Sequence, residues 1–340
     1  MSQASFTATT VDAHAGGEPL RLLLSGVPTL RGTTILERRA EMLAEHDHIR
    51  RALMWEPRGH ADMYGALLSP PVTAQADYGV LFMHNEGYSL MCGHGIIAIT
   101  TILLERSLHP LPDDWTGTGQ VAITYDAPAG RIRAVATVEN GRVVQVAFTN
   151  VPSYVHHPGV EIAVPWGSGR LQVPIVFGGA FYALLDAATA GLAVEPAQTR
   201  QLIDAGMLVK EAVRAALEIV HPLDAGLTDL YGTIIGGDPT AGADARNVTI
   251  FADGEVDRSP CGTGTAARLA WLHAQGQIAT GASWVHESIS GSRFSARVLE
   301  ETEVGPFRAI VPEIAGRAWI TGEHTFHVSA DDPQVGFLLR

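Results

Sequence analysis

The sequence has few cysteines, few basic residues and no long apolar run. Its 340 residues include two cysteines, and 23 Lys and Arg stand against 36 Asp and Glu, for a net charge of −13. Two distant cysteines cannot make a disulfide scaffold, so we expect both to be free thiols in a reducing compartment. The negative balance disfavours binding to nucleic acid and to anionic membrane surfaces.

Signals for export or membrane insertion are also absent. The amino terminus, MSQASFTATTVDAHAGGEPL, lacks a basic head followed by an apolar run, and the longest apolar block, Gly95 to Leu104, is far shorter than a membrane span. We therefore expect a soluble cytoplasmic protein without nucleic-acid or membrane partners.

The length and the turn-forming residues indicate two domains. A chain of this size suits two domains of about 150 residues each. It holds 36 glycines and 19 prolines, which favours many turns between short strands and helices. The hydrophobic spacing predicts helices over Ile35 to Met54, Glu195 to Val220 and Thr263 to Gln275, with a further helix beginning near Gly93, and strands over most of the rest.

The two cysteines occur in similar surroundings. Met91 to Gly95 reads MCGHG and Ser259 to Thr265 reads SPCGTGT, and in both cases an amphipathic helix follows, CGHGIIAITTILLE and CGTGTAARLAWLHA. This long-range repeat predicts two similar half-molecules, with the cysteines facing each other across a cleft.

A cysteine at a helix start can act as a base or a nucleophile. The unpaired N–H groups and the helix dipole favour the thiolate and can bring the thiol pKa toward neutrality. Glycines let the backbone approach a ligand, so the same N–H groups can bind a carboxylate. Two such acid/base groups on opposite faces of one carbon could remove a proton from one side and return one from the other, with no metal or cofactor.

Three other interpretations of the sequence compete with this one. Fourteen histidines suggest metal binding, but neither Cys-x-x-Cys nor His-Glu-x-x-His is present, so we expect no metal. A cysteine hydrolase would use Cys92 and leave the matched setting of Cys261 unexplained. A non-catalytic amino-acid-binding protein would tolerate Cys→Ser at both positions.

These residues carry a family resemblance. Two segments resemble the two active-site motifs of the proline racemase family: MCGHG at Met91 to Gly95 and DRSPCGTGT at Asp257 to Thr265. Further segments match as well: VDAHAGGEPLR, EPRGHADMYGALL, GVLFMHNEGY and FGGAFYALLD. The resemblance covers essentially the whole chain.

The resemblance implies an α+β fold like that of diaminopimelate epimerase. Two pseudo-symmetric domains, each a mixed β-sheet or barrel around a central helix, would hold the active site in the cleft between them. The first half would comprise residues 1–150, completed by the C-terminal strand at about 322–340. The second half would comprise residues 151–321.

The resemblance also implies roles for residues of this sequence. Cys92 and Cys261 would be the two acid/base groups, and Asp257 and His94 would hold the ring nitrogen of a small proline-type substrate, without a cofactor. The backbone N–H groups that would bind the substrate carboxylate are those of Gly93, Gly95, Gly262 and Thr263. Tyr64 and Phe251 are our candidates for lining the ring pocket, and packing in the core is the alternative for both.

The family contains proline racemases, 4-hydroxyproline 2-epimerases and trans-3-hydroxyproline dehydratases. The dehydratases typically carry threonine where Cys261 stands, which favours a racemase or epimerase here. The segments MHNEGYS, DMYG and GGAFYA look more like the dehydratase branch. We therefore expect inversion at the α-carbon of proline or hydroxyproline, with dehydration of trans-3-hydroxy-L-proline as the alternative, in a chain whose default assembly is a homodimer.

Overall fold

The computed structural model describes residues 5–339, which combine many strands with few helices. The described residues divide into two compact units. One contains the residues up to Ala147 and those from Arg317 onward, and the other is Phe148–Gly316. The predicted α+β class is confirmed, while the division into halves at 1–150 with 322–340 and at 151–321 stays a prediction. Within residues 5–339, no helix combines the length and the apolar character needed to cross a bilayer.

The elements follow one another along the chain in three groups. The first group is β1 Phe6–Ala15, β2 Glu18–Leu23, α1 Ile35–Glu45, α2 Asp47–Met54, β3 Tyr64–Ser69, β4 Tyr78–His84, β5 Tyr88–Ser89, α3 Gly93–Glu105, β6 Gly119–Ala127, β7 Gly130–Glu139 and β8 Arg142–Thr149. The second is β9 Ser153–Ala163, β10 Arg170–Phe177, β11 Phe181–Asp186, α4 Thr199–Ala216, β12 Val220–His221, β13 Asp224–Thr228, β14 Leu230–Gly237, β15 Ala245–Phe251, β16 Glu255–Asp257, α5 Gly262–Ala274, β17 Ser283–Ser288, β18 Arg293–Val304 and β19 Phe307–Gly316. The last element is β20 Ala318–Val328, and short 3-10 helices occupy Ala187–Ala190 and Pro196–Gln198.

The first unit is a mixed sheet curved around helix α3. Strand β1 pairs antiparallel with β2 and β20, β2 runs parallel to β3, and β4 lies antiparallel to β3 and parallel to β6, which pairs with β7. Helix α3 contacts β1, β2, β7 and β20, strands from both ends of this series. The apolar run after Cys92 forms this helix, and nearly all of its residues are buried. A helix that is apolar all round is the expected centre of such a unit.

The second unit is a closed ring of strands around helix α5. The pairings run β9–β10–β11–β14–β15–β17–β18–β19 and return from β19 to β9. Closure removes exposed sheet edges from the ring. Helix α5 packs against β9, β10, β11, β18 and β19. The amphipathic helix α4 lies outside, on β14 and β15.

Two predicted helices differ from those in the structure. The stretch Ile35 to Met54 forms two helices separated at His46, since α1 ends there and α2 begins at Asp47. Thr34 begins α1 with a capping box to Glu37, a start signal that hydrophobic spacing alone does not detect. Helix α4 is shorter than the predicted Glu195 to Val220, because a 3-10 turn precedes it and the chain becomes extended at Leu217.

Gly178 sets how closely the β10–β11 turn approaches the core helix of the second unit. A Cβ atom at this position would lie 2.2 Å from the Thr263 carbonyl oxygen and 2.6 Å from the Ala267 nitrogen, both in α5. These are backbone atoms of a buried helix, so they cannot move aside cheaply. Gly178 therefore permits the contact that holds the first turns of α5 against the sheet.

We expect Gly178→Ala to lower the free energy of unfolding by about 3 kcal/mol, because the added methyl group overpacks a rigid contact. Denaturant unfolding followed by circular dichroism measures this. The matched control is Gly87→Ala, where a Cβ atom would meet no described atom within 4 Å and the expected change is within about 0.5 kcal/mol. Equal stabilities of the two variants would contradict the role assigned to Gly178.

Candidate active site

Cys92 is the N-cap of helix α3. Its backbone is extended, and its sulfur accepts a hydrogen bond from the Gly95 N–H at 3.2 Å. The side chain is buried. The thiol therefore sits at the positive end of the helix dipole and satisfies one of the N–H groups that a helix start leaves unpaired.

Gly95 makes this sulfur contact possible. A Cβ atom at Gly95 would lie 2.8 Å from the Cys92 sulfur and 2.8 Å from a ring carbon of Phe82. Any side chain here would displace the sulfur or the aromatic ring. The second glycine of the CGHG motif is thus required by the position of the thiol.

His94 is a titratable neighbour of Cys92. Its ring nitrogens lie 3.3 Å (Nδ1) and 3.5 Å (Nε2) from the Cys92 sulfur. Burial lowers the pKa of His94 to about 3, against a hydrogen bond to the Pro19 backbone that raises it. His94 is therefore a neutral imidazole at physiological pH, and its one N–H donates to the Pro19 carbonyl oxygen.

Tyr64 lies beside this histidine. The Tyr64 ring meets the His94 ring edge-on with centroids 4.9 Å apart, and it stacks on His84 at 5.6 Å. Its hydroxyl is 2.5 Å from the Ser89 hydroxyl. Ser89 was not identified from the sequence. With His84 it links Tyr64 to the surroundings of Cys92 through the β3–β4–β5 pairing.

Cys261 holds the equivalent position in the second unit. It is the N-cap of helix α5, and its sulfur accepts from the Gly264 N–H at 3.3 Å. A Cβ atom at Gly264 would lie 3.0 Å from this sulfur, so the glycine requirement is repeated. Unlike Cys92, Cys261 has a positive φ of 64°, a strained conformation for a side-chain-bearing residue.

A short hydrogen-bonded loop holds Cys261 in this conformation. The Asp257 carboxylate accepts from the Ser259 N–H at 2.8 Å and from the Ser259 hydroxyl at 2.7 Å. The Ser259 hydroxyl oxygen in turn accepts from the Cys261 N–H at 3.0 Å. Asp257, at the end of β16, is thereby fixed beside the thiol.

The protonation states of Cys261 and Asp257 differ from those expected at a helix start. Burial raises the pKa of Cys261 to about 12, and the Asp257 carboxylate raises it as well, so the opposing effect of the Gly264 N–H is outweighed. Burial also raises the pKa of Asp257 to about 6, although hydrogen bonds from Ser259 and Cys261 lower it. At neutral pH Cys261 is therefore a protonated thiol next to an ionised carboxylate.

Tyr182 is a member of this site that the sequence reasoning did not single out. It lies on β11, and its hydroxyl is 2.6 Å from the Thr263 hydroxyl and 3.8 Å from the Cys261 sulfur. The Thr263 hydroxyl is itself 3.7 Å from that sulfur. Burial raises the pKa of Tyr182 far above its usual value, so the tyrosine remains a hydroxyl donor. FGGAFYALLD contained the residue, but only strand pairing brings it to the thiol.

Phe251 belongs to an aromatic cluster next to Tyr182. The Phe251 ring stacks on Tyr231 with centroids 5.3 Å apart, and Tyr231 meets Tyr182 edge-on at 5.8 Å. Phe251 itself is buried. The structure thus connects this candidate to the Cys261 setting through two tyrosine rings.

The predicted carboxylate-binding N–H groups lie in the first turns of α3 and α5. Gly93 and Gly262 are the first residues of these helices, and Thr263 follows Gly262. The Gly95 N–H is engaged by the Cys92 sulfur, so a carboxylate would compete with the thiol for this donor. Gly93, Gly262 and Thr263 are the better candidates for anion binding.

A group of potential metal ligands lies outside the surroundings of Cys92 and Cys261 described above. Within residues 5–339, Glu41, Glu45 and His46 are close enough together to share an ion. Arg31 forms ion pairs with both glutamates. The cluster includes neither cysteine, and Arg31 already compensates its charge.

Comparisons with known proteins agree on one family. A sequence model of the family described as proline racemase matches residues 10–338. The chain is 47% identical to a trans-3-hydroxy-L-proline dehydratase of Bacillus cereus, over 97% of this chain and 98% of that protein. It is 39% identical to a proline racemase of Clostridioides difficile, over 97% of each.

Solved structures show the same relationship. A hydroxyproline epimerase from Agrobacterium vitis, with bound trans-4-hydroxy-L-proline, superposes with a TM-score of 0.90 at 32% identity, over 98% of this chain and 96% of that chain. These relatives are isomerases and lyases that act on closely similar cyclic amino acids. The chain therefore belongs to the proline racemase family and is an enzyme with the fold of that family.

Proposed function

We propose that this enzyme removes the α-proton of a proline-type amino acid, with Cys92 and Cys261 as its acid/base pair. The observation that carries this assignment is the repeated thiol geometry. Each sulfur caps a buried helix and accepts the N–H of the glycine three residues later. One capped thiol would suit many roles, whereas two matched ones suit proton exchange at a single carbon.

The protonation states support a division of labour. Because burial and Asp257 keep Cys261 protonated, this thiol begins as the proton donor. A substrate ammonium beside Asp257 would offset the carboxylate charge and lower the pKa of Cys261. Substrate binding would then bring the thiol closer to the pKa range in which it exchanges protons readily.

The helix starts supply the stabilisation that the carbanion needs. As the α-proton leaves, negative charge spreads onto the substrate carboxylate. In this proposal, backbone N–H groups of Gly93, Gly262 and Thr263 bind that carboxylate and stabilise the charge as it develops. The neutral His94 places no competing positive charge beside Cys92.

The substrate determines what happens to the carbanion. With proline or 4-hydroxyproline, a proton delivered from the opposite thiol to the α-carbon inverts that carbon. With trans-3-hydroxy-L-proline, the α-proton and the 3-hydroxyl lie on the same face of the ring. The electron pair can then form the C2–C3 double bond and expel the hydroxyl, which leaves as water after taking a proton, and the enamine tautomerises to Δ1-pyrroline-2-carboxylate.

A specific observation favours the second outcome for the 3-hydroxy substrate. Relatives named trans-3-hydroxy-L-proline dehydratase, from three different genera, are 43–47% identical to this chain. Expulsion of water consumes the carbanion, whereas reprotonation is reversible. We therefore propose dehydration of trans-3-hydroxy-L-proline, and inversion of substrates that lack the 3-hydroxyl, from one common intermediate.

We expect α-proton exchange with inversion when L-proline or trans-4-hydroxy-L-proline is incubated with the enzyme in D₂O and followed by NMR. Cys92→Ser and Cys261→Ser should each reduce inversion by at least ~100-fold, because each removes an acid/base group. With trans-3-hydroxy-L-proline we expect loss of water, retained better by Cys261→Ser than by Cys92→Ser. Binding of these compounds with no exchange and no dehydration would instead indicate a non-catalytic binding protein.

We expect kcat/KM to fall as the pH drops below about 6, the pKa of Asp257 in the free enzyme. Protonation removes the charge that would hold the substrate ammonium, so activity is present above this pKa and lost below it. A pH profile of kcat/KM measures the effect. Asp257→Asn should lower the plateau and abolish the acid limb, and an unchanged limb in this variant would assign the titration to another group.

We expect Tyr182→Phe to lower kcat by about tenfold, because it removes a hydroxyl next to Thr263 and Cys261 while keeping the ring. Steady-state kinetics and thermal unfolding measure the two effects separately. Tyr125→Phe is the matched control: it removes another buried tyrosine–threonine hydrogen bond, to Thr100 at 2.9 Å in the first unit. Equal effects of both variants on kcat would show that Tyr182 acts through stability alone.

A further inference from the structure

A cavity of about 510 Å³ lies in the second unit, outside the Cys261 setting. Helix α5, strands β10, β11 and β14, and the segment that follows β11 form its walls. Among the described residues that line it, neither Cys261 nor Tyr182 nor Asp257 occurs. The volume is in the range of pockets that bind small molecules, roughly 300 to 1,000 Å³.

Arg268 provides the positive charge of this cavity. It lies on α5 and is largely buried, while part of its side chain remains open to the cavity. Its Nε is buried and has no hydrogen-bond partner within residues 5–339. A Cβ atom at Gly236 would lie 3.8 Å from both terminal guanidinium nitrogens, which places these nitrogens beside β14 at the cavity wall. Desolvation lowers the pKa of Arg268, and the Asp186 carboxylate opposes this shift.

A buried guanidinium whose Nε has no hydrogen-bond partner among the described residues is costly. Arginine stays charged in proteins, and removing its charge from water is compensated only by a close anion or several acceptors. A carboxylate can receive two parallel N–H donors from such a fork, which makes it the natural complement. Arg268 is therefore arranged as a receptor for an external carboxylate.

The remaining charges of the cavity are acidic. Asp186 and Asp238 line it and are exposed, while Glu195 also lines it and is paired with Arg246 at 2.8 Å. These carboxylates disfavour phosphate and other multiply charged anions. They favour a ligand that brings its own positive group along with the carboxylate.

The apolar part of the wall suits a hydrocarbon side chain. Leu171, Leu185 and Trp271 line the cavity with the charged groups. Burial of a branched aliphatic or aromatic side chain here would be favourable by about 25 cal/mol per Å² of apolar surface removed from water. The walls thus offer one cationic, one anionic and one apolar subsite.

We propose that this cavity is a second binding site, for a zwitterionic α-amino acid with an apolar side chain. Its carboxylate would bind the Arg268 guanidinium, and its ammonium would face Asp186 and Asp238. Its side chain would lie against Leu185 and Trp271. The site is separate from the proton-exchange chemistry and does not depend on which reaction the enzyme catalyses.

The test is a binding titration of the full-length enzyme with L-leucine, L-methionine and L-phenylalanine, in the presence of saturating L-proline. Isothermal calorimetry and tryptophan fluorescence, to which Trp271 contributes, are the readouts. We expect saturable binding of at least one probe, weakened at least ~10-fold by Arg268→Met through loss of the charge-assisted hydrogen bonds. Gly236→Val, which projects methyl groups toward the guanidinium, should weaken binding to a similar degree.

The controls separate the cavity from the general surface. Arg200→Met removes an exposed arginine of α4 and should leave binding unchanged. Arg268→Met should unfold at the same temperature as the parent enzyme or higher, because a costly buried charge is replaced by an apolar chain of similar length. Analogues with one charge, 4-methylpentanoate and 3-methylbutylamine, and inorganic phosphate should bind more weakly than L-leucine.

Three results would overturn the assignment. The first is absence of saturable binding by all three amino acids up to ~10 mM, the range of very weak sites. The second is equal affinity of Arg268→Met and the parent enzyme. The third is binding of 4-methylpentanoate or phosphate as tight as that of the amino acids, which would leave a simple anion site.

Discussion

The contact between a cysteine sulfur and the N–H of the glycine three residues later is the constraint on which the proposed chemistry of this enzyme depends. It occurs twice, at Cys92 with Gly95 and at Cys261 with Gly264. The contact needs a helix that begins right after the cysteine and a residue without a side chain at the donor position. The donor turn is also where a helix presents its unpaired N–H groups to an anion. One local geometry therefore holds the thiol and prepares the place where a substrate carboxylate can bind.

Burial sets the charges around the two thiols, and it does so against the helix dipole. His94 is neutral, Tyr182 remains protonated and Cys261 is a thiol, because each charged or ionised form would have to exist away from water. The exception is Asp257, which is ionised at neutral pH and which hydrogen bonds from Ser259 and Cys261 stabilise in that form. In the proposed mechanism, Asp257 provides a carboxylate beside Cys261 whose charge a substrate ammonium would complement. Under the proposal, the ammonium group of the substrate therefore helps to adjust the pKa of the thiol.

The sequence predicted the parts of the site that are local in the chain. The CGHG and CGTG motifs predicted two helix starts with a cysteine at each, since capping and glycine placement are decided within five residues. The sequence could not identify Tyr182 or Ser89, because their hydroxyl groups reach the site only through strand pairing with distant segments. It also could not predict the raised pKa of Cys261, which depends on how completely the folded chain excludes water. It also predicted one helix over Ile35 to Met54, because hydrophobic spacing continues through His46, where the structure separates two helices.

The protonated state of Cys261 bears on how one enzyme can both invert and dehydrate. A thiol with a raised pKa is a weak acid. It therefore delivers its proton slowly to a carbanion unless a bound ammonium has first offset the Asp257 charge. If the neighbouring carbon carries a leaving group, the carbanion can also react by elimination, which needs no proton at the α-carbon. The slower the reprotonation, the larger the share of carbanion that expels the hydroxyl. Under the proposed mechanism, retention of a second cysteine is therefore compatible with a dehydratase, because the balance between inversion and elimination would depend on the pKa of that thiol as well as on its presence.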